Sequence, residues 1–333
     1  GFSMIHKGAE NFRVAKYRFE LKALTKIRLP SYKGSTFRGA FGRMFRRICC
    51  STREEECGGC LLKATCPYAY IFETQQDVGG ALASACDPLN RGLKIKRYRN
   101  LPRPFVLEPP LDPKEKIEEG EQFSFGLVLI GRGMDFLPYF LVTFKELGST
   151  GIGRGRGEFL LESVSALFRD GRQAQVYSCQ DQMVHNHDCS FTLVDFVDGK
   201  SAARCTIEFL TPARLRSEGS LGSQVDFHSF FSRLLERLQA LSIFHCGGPV
   251  EVDHLALKQL ARSVRTESSS LYFQDWTRYS SRQKTRMQLG GYKGQITYSG
   301  DLAPFLPFLR MGQYVHVGKN TTFGLGQYRL SYE

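Results

Sequence analysis

HVGKNTTFGLGQYRL, residues 316–330, is the stretch that decides how the rest of the chain is read. It holds three glycines, two threonines, an asparagine and a lysine, and it ends in the apolar–polar alternation of a strand. Glycine permits positive φ and close backbone approach, so consecutive N–H groups around Gly318, Gly324 and Gly326 can form a nest for an anion. Lys319 adds a mobile charge, and Asn320, Thr321 and Thr322 offer amide and hydroxyl partners to a phosphate or a ribose. The loop neither follows a strand nor opens a helix, which excludes a Rossmann fingerprint and a Walker loop. Two readings follow: a floppy hairpin, or a grip on a nucleic-acid backbone. The interspersed lysine, asparagine and threonines favour the second.

The pattern occurs twice. FLPYFLVTFKELGSTGIGRGRGEFLLESV (136–164) and PFLPFLRMGQYVHVGKNTTFGLGQYRLSY (304–332) each run from an apolar helical stretch with a proline, through a glycine-rich loop, into an alternating strand. A separation of about half the chain implies a duplicated domain. In the first half, KYRFELKALTKIRLP (16–30) alternates as a strand. STFRGAFGRMFRRI (35–48) follows as a helix with Ser35 as cap and Phe37, Phe41, Met44, Phe45 and Ile48 on its apolar face. Strands near 103–108 and over 121–131, a helix from 134 and a strand from 158 complete that half. In the second half the same order is a strand over 203–215, a helix over 226–244, a hairpin from LYFQDWTRYS and GQITYSGDL, and the final helix, loop and strand. Strand–helix–strand–strand–helix–strand, twice, predicts an α+β protein of tandem ferredoxin-like (RRM-like) domains. Their expected bounds are 4–170 and 203–333, with a linker or hairpin over 171–202 that includes the polar SCQDQMVHNHDC.

A chain of 333 residues with 42% hydrophobic content suits two such cores. Its formal charge of +12 favours a polyanionic partner. RGLKIKRYR (91–99) and RYSSRQKTR (278–286) concentrate cations with interleaved tyrosine. Arg214, Arg216, Arg278, Arg282, Lys284 and Arg286 are the candidate phosphate contacts. No apolar run approaches the ~20 residues of a membrane span, and no secretion signal is evident, so a cytoplasmic protein without a membrane partner is expected.

Ten cysteines in such a setting point away from disulfides. CCSTREEECGGCLLKATC supplies Cys50, Cys57, Cys60 and Cys66, with Cys49 as a substitute, for a tetrahedral thiolate site in an insert after the first helix. Structural zinc is the preferred occupant, an iron–sulfur cluster the alternative, and unligated thiols the plain reading. An all-cysteine site is closed and would carry no catalysis.

GKNTTFGLG before the last strand, preceded by GDLAPFLPFL, resembles the C-terminal signature of the CRISPR repeat-processing endoribonucleases of the RAMP superfamily. SYKGSTFRGAFG, the cysteine insert ending CPYAYIFE, and HCGG after the long helix are similar to the same family. The resemblance implies that the chain binds CRISPR repeat RNA and cuts precursor guide RNA without a catalytic metal. It also implies a 2′,3′-cyclic phosphate product and retention of the guide for effector-complex subunits. Such chemistry needs a base for the 2′-OH, an acid for the 5′-oxygen and cations for the phosphorane. Family members often carry a histidine on or near the first helix, and residues 31–48 contain none. The candidates are therefore His245 and His316 as acid–base groups, with Tyr32, Lys33 and Arg38 orienting the ribose and stabilising charge. A noncatalytic RNA-binding subunit of a CRISPR effector complex is the alternative, supported by that missing histidine.

Overall fold

Alternation in RVAKYRFELKA makes β1 (Arg13–Ala23) the central strand of the N-terminal sheet, with Val14, Tyr17, Phe19, Leu21 and Ala23 buried. The computed structural model describes residues 5, 7–53, 57–73, 101–215, 225–275, 277–280 and 285–333. They fall into two compact units, Arg13–Val78 with Leu101–Phe191, and the remainder, whose longest segment is Thr192–Glu333.

In the first unit β1 is followed by α1 (Gly34–Cys49), β2 (Phe105–Glu108), β3 (Gln122–Ile130), α2 (Leu137–Thr150), β4 (Phe159–Leu167) and β5 (Gln173–Ser178). The antiparallel sheet runs β2-β3-β1-β4-β5, and its first four strands have the ferredoxin-like order. Register places Phe19 opposite Phe125 and Val164, which fixes one apolar face for the helices to cover. Phe37, Phe41, Met44 and Phe45 of α1 are buried, as their helical spacing predicts. The Phe41 ring stacks on Phe140 at 4.7 Å and on Phe144 at 5.2 Å, joining both helices over the sheet. Removing such a ring costs roughly 3–5 kcal/mol. Ser35 is not the cap it was expected to be: Lys33 takes the N-cap position, with no side-chain capping bond.

The second unit repeats the plan with β6 (Arg204–Ala213), α3 (Phe227–His245), α4 (His254–Ala261), β7 (Arg265–Ser269), β8 (Tyr272–Gln274), β9 (Thr277–Ser280), β10 (Thr285–Gln288), β11 (Gly291–Ser299), α5 (Leu306–Val315) and β12 (Tyr328–Tyr332). Its sheet order is β7-β11-β6-β12, with β8 also on β11. Asp226 caps α3 by accepting from Ser229 N–H at 2.8 Å, and Asp253 caps α4 in the same way. Proline stands in the first turn of both α2 and α5, where its missing N–H costs nothing.

Three details differ from the sequence reading. The expected hairpin is divided: β8 joins the main sheet, whereas β9 and β10 pair only with each other. The short amphipathic α4 was not anticipated. Residues 173–178, expected within a linker or hairpin between the domains, are the edge strand β5 of the first unit's sheet, paired antiparallel with β4. The polar SCQDQMVHNHDC begins at its last residue, where Asp181 and His185 pair at 3.1 Å.

Candidate functional site

The loop between α5 and β12 is packed rather than floppy. Val317 N–H donates to Gly326 O at 3.1 Å, Gly326 N–H to Pro212 O at 3.0 Å, and Gly324 N–H to Thr321 O at 2.9 Å. The Thr211 hydroxyl donates to Gly324 O at 2.7 Å and accepts from Gln327 N–H at 2.9 Å. Gly326 has φ +72°, and a Cβ there would lie 1.8 Å from Val317 O; at Gly318, φ +88°, it would meet Arg214 O at 2.8 Å. Those two glycines exist because the loop closes on itself and on the end of β6. Several of its N–H groups are consequently spent inside the loop instead of forming an open nest. Thr321 and Thr322 are buried, which corrects their reading as direct partners of a nucleic acid. The outward face is Gly318, Lys319 and Asn320, with Lys319 exposed and Asn320 held at φ +61°. The backbone of Arg214 lies directly under Gly318, so the end of β6 and the loop meet there.

His316 is the hinge of that loop. It is fully buried at φ +63°, with Nδ1 3.2 Å from Leu325 O. Arg237 donates to the carbonyls of Val315 (2.7 Å) and His316 (3.1 Å), satisfying the end of α5. A general base must come within hydrogen-bond reach of the 2′-OH; an enclosed ring that already faces a carbonyl does not offer that, so His316 is a loop-holding residue. His245, the last residue of α3, is buried as well, and Gly247 at φ +87° turns the chain away behind it. Its acid–base reading meets the same obstacle. Arg237 and Thr211 escaped the sequence reading; the signal was a charge set among the leucines of LLERLQAL and a threonine buried in a strand end.

The residues around the start of α1 have separate surroundings. Lys33 is 1% exposed, and its ammonium donates to Asp112 O at 2.5 Å and sits 3.6 Å from Asp112 Oδ1. It lines a polar cavity of about 330 Å³ whose wall includes Lys114, Glu121 and Ser124. Burial holds the Tyr32 phenol well above its ordinary pKa, so it remains a neutral donor. The Arg38 guanidinium lies 4.7 Å from the Phe72 ring centre, and the residue is half-buried. Arg278 and Arg286 stand on β9 and β10, in neighbouring registers. Arg216, Arg282, Lys284 and the 91–99 run lie outside the described residues.

Cys49, Cys50, Cys57, Cys60 and Cys66 line one cavity of about 180 Å³ and are all free thiols. Thr52 Oγ1 lies 3.9 Å from Cys50 Sγ and 3.6 Å from Cys60 Sγ. Burial, then the neighbouring Cys66 and Cys50, push the Cys49 thiol up to about 12, which suits Cys49 less than the others as a thiolate ligand. The donor chemistry fits zinc or an iron–sulfur cluster. Among the described residues, however, no three His, Cys, Asp or Glu side chains converge closely enough to hold a metal ion as they stand. No helix among the described residues is long and apolar enough to cross a membrane.

Residues 12–189, more than half of the chain, match the AF_1859_N family, an N-terminal domain. Residues 207–328 match the CRISPR-associated endoribonuclease Cas6. An uncharacterized protein of Archaeoglobus fulgidus is 23% identical over 307 residues, spanning 91% of this chain and 92% of its own. Among solved structures, a Thermus thermophilus Cas6 product complex superposes with a TM-score of 0.54 at 16% identity, over 96% of this chain and all of the other. A partial Cas6-RT-Cas1–Cas2 complex gives 0.56 at 15% identity, over 97% of this chain and 46% of that one. At such identities the structural likeness establishes the fold.

Proposed function

The chain belongs to the family defined by the AF_1859_N N-terminal domain and carries a CRISPR-associated endoribonuclease Cas6 domain behind it; on that premise we propose that it binds CRISPR repeat RNA and cuts precursor transcripts without a metal ion. In this reading a ribose 2′-oxygen attacks the adjacent phosphorus as its proton passes to a base. The P–O5′ bond breaks, the leaving 5′-oxygen takes up a proton, and a 2′,3′-cyclic phosphate remains on the guide. The observation that carries the proposal is the doubled ferredoxin-like plan closed by a rigid glycine loop, with Lys319 outward beside Arg214. We assign Lys33 as the cation for the phosphorane because it lines a polar cavity large enough for part of a nucleotide; its ammonium, bonded to Asp112 O, has to be released as the phosphate enters. Tyr32, kept neutral by burial, is proposed as a hydrogen-bond donor to the ribose.

The enclosure of His245 and His316 favours one rival, a noncatalytic RNA-binding subunit that holds the guide within an effector complex. Labelled repeat RNA incubated with the protein in EDTA separates the two. A single cut, a cyclic-phosphate end and complete protection by a 2′-deoxy substitution at the scissile nucleotide are expected. Tight binding with no product would favour the rival, and a cut abolished by EDTA would remove the metal-free mechanism. Lys33→Met is expected to lower the cutting rate at least ~100-fold with repeat affinity nearly unchanged. The cysteine pocket is proposed as a structural site in which Cys50, Cys57, Cys60 and Cys66 hold zinc, pinning the insert after α1. On this reading the protein is proposed to act in the cytoplasm, with repeat RNA and CRISPR effector subunits as partners.

A further inference from the structure

The glycine loop has a counterpart in the first unit that the functional reading leaves unused. GIGRGRG (151–157) joins α2 to β4, as 316–326 joins α5 to β12. Ile152 and Gly157 pair backbone to backbone at 2.9 and 3.0 Å, so the segment is a closed turn with a defined tip. It seats on the chain just after β1: Arg154 N–H donates to Arg28 O at 2.9 Å, and a Cβ at Gly153 would meet Arg28 O at 2.1 Å. Gly318 and Gly326 make the equivalent approach to Arg214 and Pro212 at the end of β6. Both loops thus occupy one position of the duplicated fold.

Their tips differ in a way that points to a ligand. The N-terminal tip is Arg154, Gly155 and Arg156, all exposed, with φ +86° at Gly155 and +54° at Arg156. Arg28 and Lys116, both exposed, face each other in register beside it. Among the described residues none of these four cations has an ion pair or a side-chain hydrogen bond. The acidic groups close by are Glu115, Glu118 and Glu158, and Glu118 is already bound to Lys26 at 2.8 Å. The local surplus is therefore positive. A rigid turn that exposes two guanidinium forks matches phosphate oxygens better than a lysine does, because each fork donates two parallel bonds.

We propose that Arg154 and Arg156, supported by Arg28 and Lys116, form a second RNA-backbone site that contacts two phosphates of the same transcript. The proposal rests on the RNA-binding reading above. The test is binding of fluorescent repeat RNA by wild type and by R154Q/R156Q across a salt series, with thermal melting as the folding control. Unchanged melting, roughly tenfold weaker binding and a salt slope shallower by about 1.4 are expected, at about 0.7 per phosphate on a single strand. Equal affinity and slope in the two proteins, with wild type binding well, would overturn the second site while leaving the functional reading intact. Should wild type not bind the repeat, that reading fails instead. The loop is then judged on a non-repeat single-stranded RNA of the same length, where equal binding by the double variant overturns it.

Discussion

Gly326→Ala tests whether the C-terminal loop is held as described. At φ +72° an alanine pays the left-handed penalty of about 1–2 kcal/mol. The new Cβ would stand 1.8 Å from Val317 O, well inside contact distance, and the atom it meets is backbone that cannot rotate aside. Relief requires the Val317 N–H to Gly326 O bond of 3.1 Å to open, a further loss near 1 kcal/mol. A more restricted unfolded chain returns about 0.5 kcal/mol. The sum is roughly 2 kcal/mol, or about 4–8 °C in melting temperature for a unit of this size. Gly155→Ala is the internal control: φ is +86°, but nothing lies within 4 Å of its Cβ, so only about 1 kcal/mol is expected. Calorimetry of the two variants against wild type, with repeat binding measured on the folded proteins, completes the comparison. If G326A melts within 1–2 °C of wild type, or no lower than G155A, the loop is not closed on itself and the argument about its glycines is wrong.

Arg237→Met removes three hydrogen bonds to the carbonyls of Val315 and His316; a loss of about 2 kcal/mol, with weaker repeat binding as the loop loosens, is expected in urea titration. His254 is buried with both ring nitrogens unpartnered, and burial, then the Lys258 charge, lowers its pKa to about 4 from 6.5. The unfolded chain therefore takes up the proton first, and up to roughly 3 kcal/mol of stability is lost as pH falls from 6.5 towards 4. His254→Leu should flatten that part of the stability–pH curve, and an unchanged slope would refute the assignment. Elemental analysis of purified protein should find one zinc per chain, lost in Cys57→Ser/Cys60→Ser along with several degrees of melting temperature; a folded, metal-free wild type would end that proposal.

Residue pattern alone was enough for the architecture. Alternation in β1 and β6, the 3.6-residue spacing of phenylalanines in α1, and the doubled proline–helix–glycine–strand segment depend on local periodicity, which survives in a linear text. The family resemblance rested on short stretches such as GKNTTFGLG and is borne out by the Cas6 match over residues 207–328. What periodicity does not encode is which way a polar side chain turns once distant segments meet. His316 reads as a catalytic histidine beside a flexible loop; only the folded chain shows its ring against Leu325 O and its carbonyl in the grip of Arg237, 79 residues away. Arg38 reads as a cation for the ribose and the developing charge, and only the folded chain shows its guanidinium against the Phe72 ring. Glycines 318 and 326 signal freedom in the sequence, whereas in three dimensions they are there because backbone from residues 214 and 317 passes too close for any side chain. Composition and spacing determined the sheets and helices; long-range contacts, which burial and hydrogen bonding select, decided which of the charged and titratable groups remain in reach of RNA.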